Sequence, residues 1–171
     1  MASQGPLSPG TATTPGLAGG GAMTNPNNIK VSDNAYATYF DGQNSVDAQN
    51  FGFSIPTGST INGILFEVEK KYSGDGSSSD IIVSVIKANG TLGSQNKAGV
   101  AWTTSDAYAS YGGASDLWAE TWTAEDINDA DFGLSFRSRP FEDTASIDHI
   151  RCTVYYTAGG GSANTGFFGL M

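Results

Sequence analysis

Cysteine, histidine and basic residues are all scarce in this chain of 171 residues. With Cys152 as the single cysteine, an internal disulfide and a cysteine-based zinc cluster are both excluded. His149 is the single histidine. It lies three positions from Cys152 in an alternating run, so the two side chains fall on opposite faces of an extended strand and cannot form a nucleophile–base pair. Eight Lys and Arg stand against 17 Asp and Glu, a net charge of −9 that opposes the phosphate neutralisation on which nucleic-acid affinity rests. No apolar run approaches the roughly 20 residues needed to cross a bilayer. The opening Met1-Ala2-Ser3-Gln4-Gly5 lacks the basic and apolar regions of a secretory leader, so synthesis in a cytoplasm is the expectation. Neither a nucleic acid nor a membrane is expected as partner.

Catalytic and cofactor signatures are missing as well. There is no Gly-x-Ser-x-Gly elbow and no phosphate loop of the Gly-x-x-x-x-Gly-Lys type. Nothing singles out two of the 17 acidic residues as a hydrolytic pair. Asp126, Asn128, Asp129 and Asp131, or Asp75 with Asp80, offer oxygen ligands, but neither group follows a calcium-loop spacing. The chain is therefore expected to be non-enzymatic, with no cofactor and no metal.

What the chain does contain is period-two alternation between two Gly-rich ends. Residues 1–25 hold Pro6, Pro9 and Pro15 among small spacers and read as an extended arm. Residues 158–171 read as a Gly-rich linker followed by Phe167-Phe168-Gly169-Leu170-Met171. Four large apolar side chains on such a linker, together with Leu7 and Leu17 of the first arm, are the candidate partner-docking residues. Exposure of each costs about 1.5–3 kcal/mol relative to burial.

The central residues 26–157 predict an all-β domain, an antiparallel two-sheet sandwich and possible jelly roll of about eight strands. Ile64, Phe66 and Val68 alternate with Glu67 and Glu69, the pattern of a half-buried strand. Residues 80–87 are rich in β-branched side chains and predict a central strand with Ile81, Val83 and Val85 on one face. Phe132, Leu134 and Phe136, then Ile150, Cys152, Val154 and Tyr156, mark two more core-facing strands, with Cys152 as a buried small residue and His149 turned outward. Weaker strands are expected at 36–40, 49–55, 98–102 and 117–122. Asn89-Gly90 is a tight-hairpin signal, and Thr123 with Asp126 has the form of a capped helical turn.

Trp102, Trp118 and Trp122 share a short window with Tyr108 and Tyr111. Exposed and coplanar, they would form a platform for sugar rings; buried, they would cap one end of the core. The sequence leaves both open.

Several stretches carry a resemblance. Residues 25–38 (Asn-Pro-Asn-Asn-Ile-Lys-Val-Ser-Asp-Asn-Ala-Tyr-Ala-Thr), 50–56, 61–64, 67–70, 111–118, 121–128 and 147–157 (Ile-Asp-His-Ile-Arg-Cys-Thr-Val-Tyr-Tyr-Thr) together resemble a β-sandwich module of tailed-bacteriophage virion proteins. The resemblance spans about residues 25–157. It implies a structural virion protein that assembles with other virion proteins, the major capsid protein or tail subunits, and with copies of itself. A capsid-decorating or cement protein is the leading expectation. A tail, baseplate or fibre component with a glycan- or receptor-binding sandwich is the alternative.

Overall fold

The computed structural model describes residues 1–159, and within them the chain forms two facing β-sheets. The strands are β1 (Ala2–Leu7), β2 (Thr11–Thr13), β3 (Gly21–Ala22), β4 (Ala37–Phe40), β5 (Asn44–Gln49), β6 (Thr60–Ser73), β7 (Ser77–Ile86), β8 (Ala107–Gly112), β9 (Gly133–Phe141) and β10 (Thr144–Thr157), with a short helix α1 (Ala124–Asn128). The first sheet runs β1-β10-β6-β8, with β4 sharing the β1 edge of β10. The second runs β2-β5-β9-β7, with β3 beside β2 on the edge of β5; that short β3 pairing is parallel and the others are antiparallel. The all-β two-sheet sandwich expected from the alternation is what forms. Among the described residues no helix is long and apolar enough to cross a membrane.

The core is the alternation made physical. Ile64, Phe66 and Val68 of β6 and Ile150, Cys152 and Val154 of β10 face Val83 and Val85 of β7 and Leu134 and Phe136 of β9, all buried. Burial pushes the Cys152 thiol well above its ordinary pKa, as its role as a packing residue requires. The Thr123 cap is also present: its hydroxyl accepts from the Asp126 amide while the Asp126 carboxylate accepts from the Thr123 amide.

Several expectations need correction. Residues 1–25 are not a free arm: β1 pairs with β10, and β2 and β3 pair with β5 of the same chain. Their lack of an apolar run matters little, because edge strands are recruited through backbone hydrogen bonds. The following segment is pinned by Asp47, which is buried on the outer side of the second sheet and accepts from the Leu17 amide at 2.7 Å. A Cβ on Gly16 would collide with that carboxylate, so glycine is required there. Residues 50–55 are not a strand. Asn50 and Gly52 adopt positive φ (57° and 73°), which breaks the extended run, although Phe51, Phe53 and Ile55 are still buried. Residues 98–102 and 117–122 form no strand either, whereas 107–112 do.

Two β-bulges decide what faces inward. The register of β7 shifts between Asp80 and Ile82, so Asp80 joins Val83 and Val85 on the buried face and Ile81 is only half-buried. In β10 the shift between Ile147 and His149 lets both Ile147 and Ile150 point into the core.

His149 lies on the outer side of the first sheet, as expected, but it is not solvent-facing; 8% of it is exposed. Ser8 Oγ sits 2.8 Å from Nε2 and Tyr108 Oη 2.8 Å from Nδ1, so the imidazole clasps the segment after β1 to the sheet. Burial pushes its pKa below the ordinary histidine value. As pH falls through about 6.5 the unfolded chain therefore takes up the proton first, and the stability present above that pH is lost towards the lower folded value. Thermal unfolding should accordingly show the melting temperature of His149→Gln falling less steeply than wild type between pH 7 and pH 5. Parallel curves would remove this linkage.

Candidate functional site

The ends of the sandwich differ in character. At one end β7 finishes at Ile86 and turns through Lys87 to Gly90, the Lys87 amide donating to the Thr91 carbonyl at 2.9 Å and the Gly90 amide to the Lys87 carbonyl at 2.8 Å. Beside it lies the loop that leads from Trp118 into α1. Between them is a cleft of about 330 Å³ lined by Lys87, Ala88, Asn89, Thr121, Trp122 and Asp126. This is the lower end of the size range of small-ligand sites.

Asn89 and Asp126 are held before any ligand arrives. Asn89 Oδ1 accepts from the Thr91 amide (3.1 Å) and hydroxyl (2.6 Å). Asp126 Oδ2 accepts from the Thr123 amide (2.8 Å) and hydroxyl (2.7 Å). Lys87 Nζ lies 3.9 Å from Glu120, whose carboxylate is held below its usual pKa by the Ser94 amide first and by the Ser94 hydroxyl and Lys87 besides. The apolar wall is Trp122. Its Nε1 donates to the Leu117 carbonyl at 2.9 Å, and its ring meets Phe132 edge-on at 5.4 Å, which fixes the indole's orientation. The arrangement offers one rigid aromatic edge, a cation, a carboxylate and an amide around a small volume.

Of the two arrangements open to the tryptophans, the buried one forms. Trp102, Trp118 and Trp122 are 7%, 0% and 8% exposed and point to three different places. Trp102 donates to Asp80 and lies under Lys70, with Nζ 4.7 Å from the ring centroid. Trp118 packs against Phe66 at 5.8 Å. Only Trp122 lines the cleft. The physical reason is the size of the indole: each buries a large apolar surface in the loops that flank β8, and each finds an acceptor for its N–H. The sequence singles out neither Lys87 nor Thr121, and marks Asn89 as a turn residue and Asp126 as a cap and oxygen-ligand candidate, not as parts of one site. The Asn89-Gly90 hairpin and the Thr123 cap mark both loops, but only the strand order shows that they are neighbours.

Of the partner-docking candidates, Leu7 is half-buried against the chain's own core and Leu17 is exposed. Leu7 anchors β1, opposite Cys152 in the β1–β10 register. Phe167, Phe168, Leu170 and Met171 lie outside the described residues. Among the described residues no group of three or more His, Cys, Asp or Glu side chains could hold a metal ion.

No family model matches this sequence, and no curated protein does. Two solved structures are similar in outline. One, described as "CBM4 structure and function", is 12% identical over 88% of this chain and 92% of its own, with a TM-score of 0.42. The other is the CBM22-1 xylan-binding domain from Paenibacillus barcinonensis Xyn10C, 12% identical over 88% of this chain and 86% of its own, with a TM-score of 0.35. Likeness at this level is a matter of sandwich outline, and no ligand transfers with it.

Proposed function

We propose that the chain is a non-enzymatic recognition module that binds a carbohydrate in the cleft between the Lys87–Gly90 turn and α1. The observation that carries this is the wall itself: the indole of Trp122 and the polar groups of Lys87, Asn89, Thr121 and Asp126 converge on a volume of about 330 Å³. A sugar ring presents an apolar face to an aromatic ring and hydroxyls to amides and carboxylates, which is the chemistry these side-chain types supply. The ligand is a single terminal sugar unit rather than a long chain, because the cleft is small and the tryptophans form no extended platform.

A glycan array followed by calorimetric titration of the hits tests this. Lys87→Ala/Asn89→Ala is expected to weaken binding at least tenfold, about 1.4 kcal/mol, while leaving the melting temperature nearly unchanged because neither side chain is buried. An array without hits, or hits whose affinity the double variant leaves intact, overturns the proposal.

A second reading, a structural subunit of a virus particle, is supported by the resemblance of residues 25–157 and by the exposed Phe40 and Phe141 at the other end of the sandwich (68% and 59% exposed). The two readings are compatible. A virion component with its cleft turned outward would present the recognition site to a host-surface glycan.

A further inference from the structure

The end of the sandwich remote from the cleft carries the second distinctive surface. Three turns meet there. The Asp41 amide donates to the Asp143 carbonyl (3.0 Å), the Glu142 amide to Asp41 Oδ1 (3.2 Å) and the Gly42 amide to the Pro140 carbonyl (3.0 Å), which seats the β4–β5 turn on the β9–β10 turn. Gly76 of the β6–β7 turn packs against the Phe141 carbonyl. From this platform Phe40 and Phe141 project, 68% and 59% exposed. Asp41, Asp75 and Glu142 lie exposed around them, with Arg139 as the one exposed base on the adjoining strand.

We propose that this pole receives the Phe167-Phe168-Gly169-Leu170-Met171 segment of another copy, joining molecules head to tail. Covalent reach keeps the segment's two phenylalanines from their own pole. β10 begins beside Phe40, with Thr144 opposite it in register, and runs thirteen residues to Thr157 at the far end, about 43 Å at roughly 3.3 Å per residue. Gly159 lies at that far end against Gly58. Eight residues carry the chain from Gly159 to Phe167, at most about 29 Å when fully extended. Phe167 and, one residue further on, Phe168 therefore cannot touch Phe40 and Phe141 of their own molecule.

Charge selects the occupant. Pole-to-pole packing of two copies would set Asp41, Asp75 and Glu142 against their own kind, whereas residues 160–171 contain no Asp, Glu, Lys or Arg and bring four large apolar side chains. A pole that meets a tail is a heterologous contact, which closes into a ring or continues as a filament. Head-to-tail joining rests on the assembly reading and does not depend on carbohydrate binding; Phe40 and Phe141 are remote from the cleft, so either can fail alone.

Complementation in sedimentation velocity tests it, using full-length chains. Wild type is expected to self-associate as concentration rises. Phe40→Ser/Phe141→Ser and Phe167→Ser/Phe168→Ser are each expected to associate at least tenfold more weakly, with circular dichroism and melting temperature matching wild type. Mixed in equal amounts, the two variants should form a one-to-one complex that grows no further, because one intact pole meets one intact tail. A monomeric wild type, continued self-association of the tail variant, or a mixture that stays monomeric would each overturn the proposal.

Discussion

Lys70→Ala is expected to lower the free energy of unfolding by about 3–5 kcal/mol in urea denaturation, the largest effect of any substitution of a charged residue in this chain. Lys70 belongs to β6 and Asp80 to β7 in the opposite sheet, and their side chains meet inside the sandwich, Nζ to Oδ1 at 2.6 Å with side-chain exposures of 2% and 0%. Asp80 also accepts from Trp102 Nε1 and from Tyr111 Oη, and Lys70 donates to Tyr111 Oη and to the Val100 carbonyl. Burial lowers the Lys70 pKa, the neighbouring Asp80 opposing it, and burial together with Asp80 raises that of Tyr111. The network is bonded throughout, so the damage comes from removing one partner. Alanine at 70 would leave the Asp80 carboxylate with neutral donors only, in a place water does not reach. Lys70→Met/Asp80→Asn removes both charges and keeps an acceptor for Trp102 and Tyr111; it should recover at least half the loss. A single variant that costs less than about 1 kcal/mol would show that the two sheets are not joined through this pair.

Trp118→Ala should cost about 3–5 kcal/mol, a fall in melting temperature of about 6–20 °C for a chain of this size. Trp118 is fully buried, meets Phe66 edge-on at an interplanar angle of 84°, and donates from Nε1 to the Ile64 carbonyl at 3.1 Å. The backbone reaches this position through positive φ at Trp118 and Ala119 (59° and 55°), a conformation that holds only while the indole is anchored. Gly112 makes room for it, since a Cβ there would strike both the indole and the Ile64 carbonyl. Trp118→Phe retains the contact with Phe66 and gives up the indole bond, so it should cost less than half as much. Equal losses for the two variants would place the stabilisation in the hydrogen bond rather than in the filled volume.

These two sites mark where reading the sequence succeeds and where it stops. Period-two alternation identifies β6, β9 and β10 and the burial of Cys152, because a strand with one covered face writes that pattern directly into its residues. The Thr123 cap and the Asn89-Gly90 turn are legible for the same reason: both are local chemistry. The inward turn of Asp80 is not. A bulge has no signature in the residues of β7 alone, and it is the bulge that reverses the faces of Asp80 and Ile81 and turns an apparent surface acid into the partner of Lys70. Residues 1–25 mislead in the opposite direction. Their composition is that of a free arm, yet β1, β2 and β3 are held by backbone pairing and by Asp47, neither of which an apolar count detects. The three tryptophans stand out in the sequence, but their spacing does not choose between platform and core; the three N–H acceptors decide for the core. The cleft is hidden because its walls come from residues 87–89 and 121–126, which only the fold makes neighbours.

Recognition at this cleft is tested most directly by an amide-correlation NMR titration of the full chain with the sugars that an array selects. Binding at the proposed site moves the resonances of Lys87 to Asn89 and of Thr121 to Asp126, together with the Trp122 indole N–H, and leaves the Phe40 and Phe141 end unchanged. Shifts centred on any other surface, or a spectrum that no sugar in the panel alters, would contradict it.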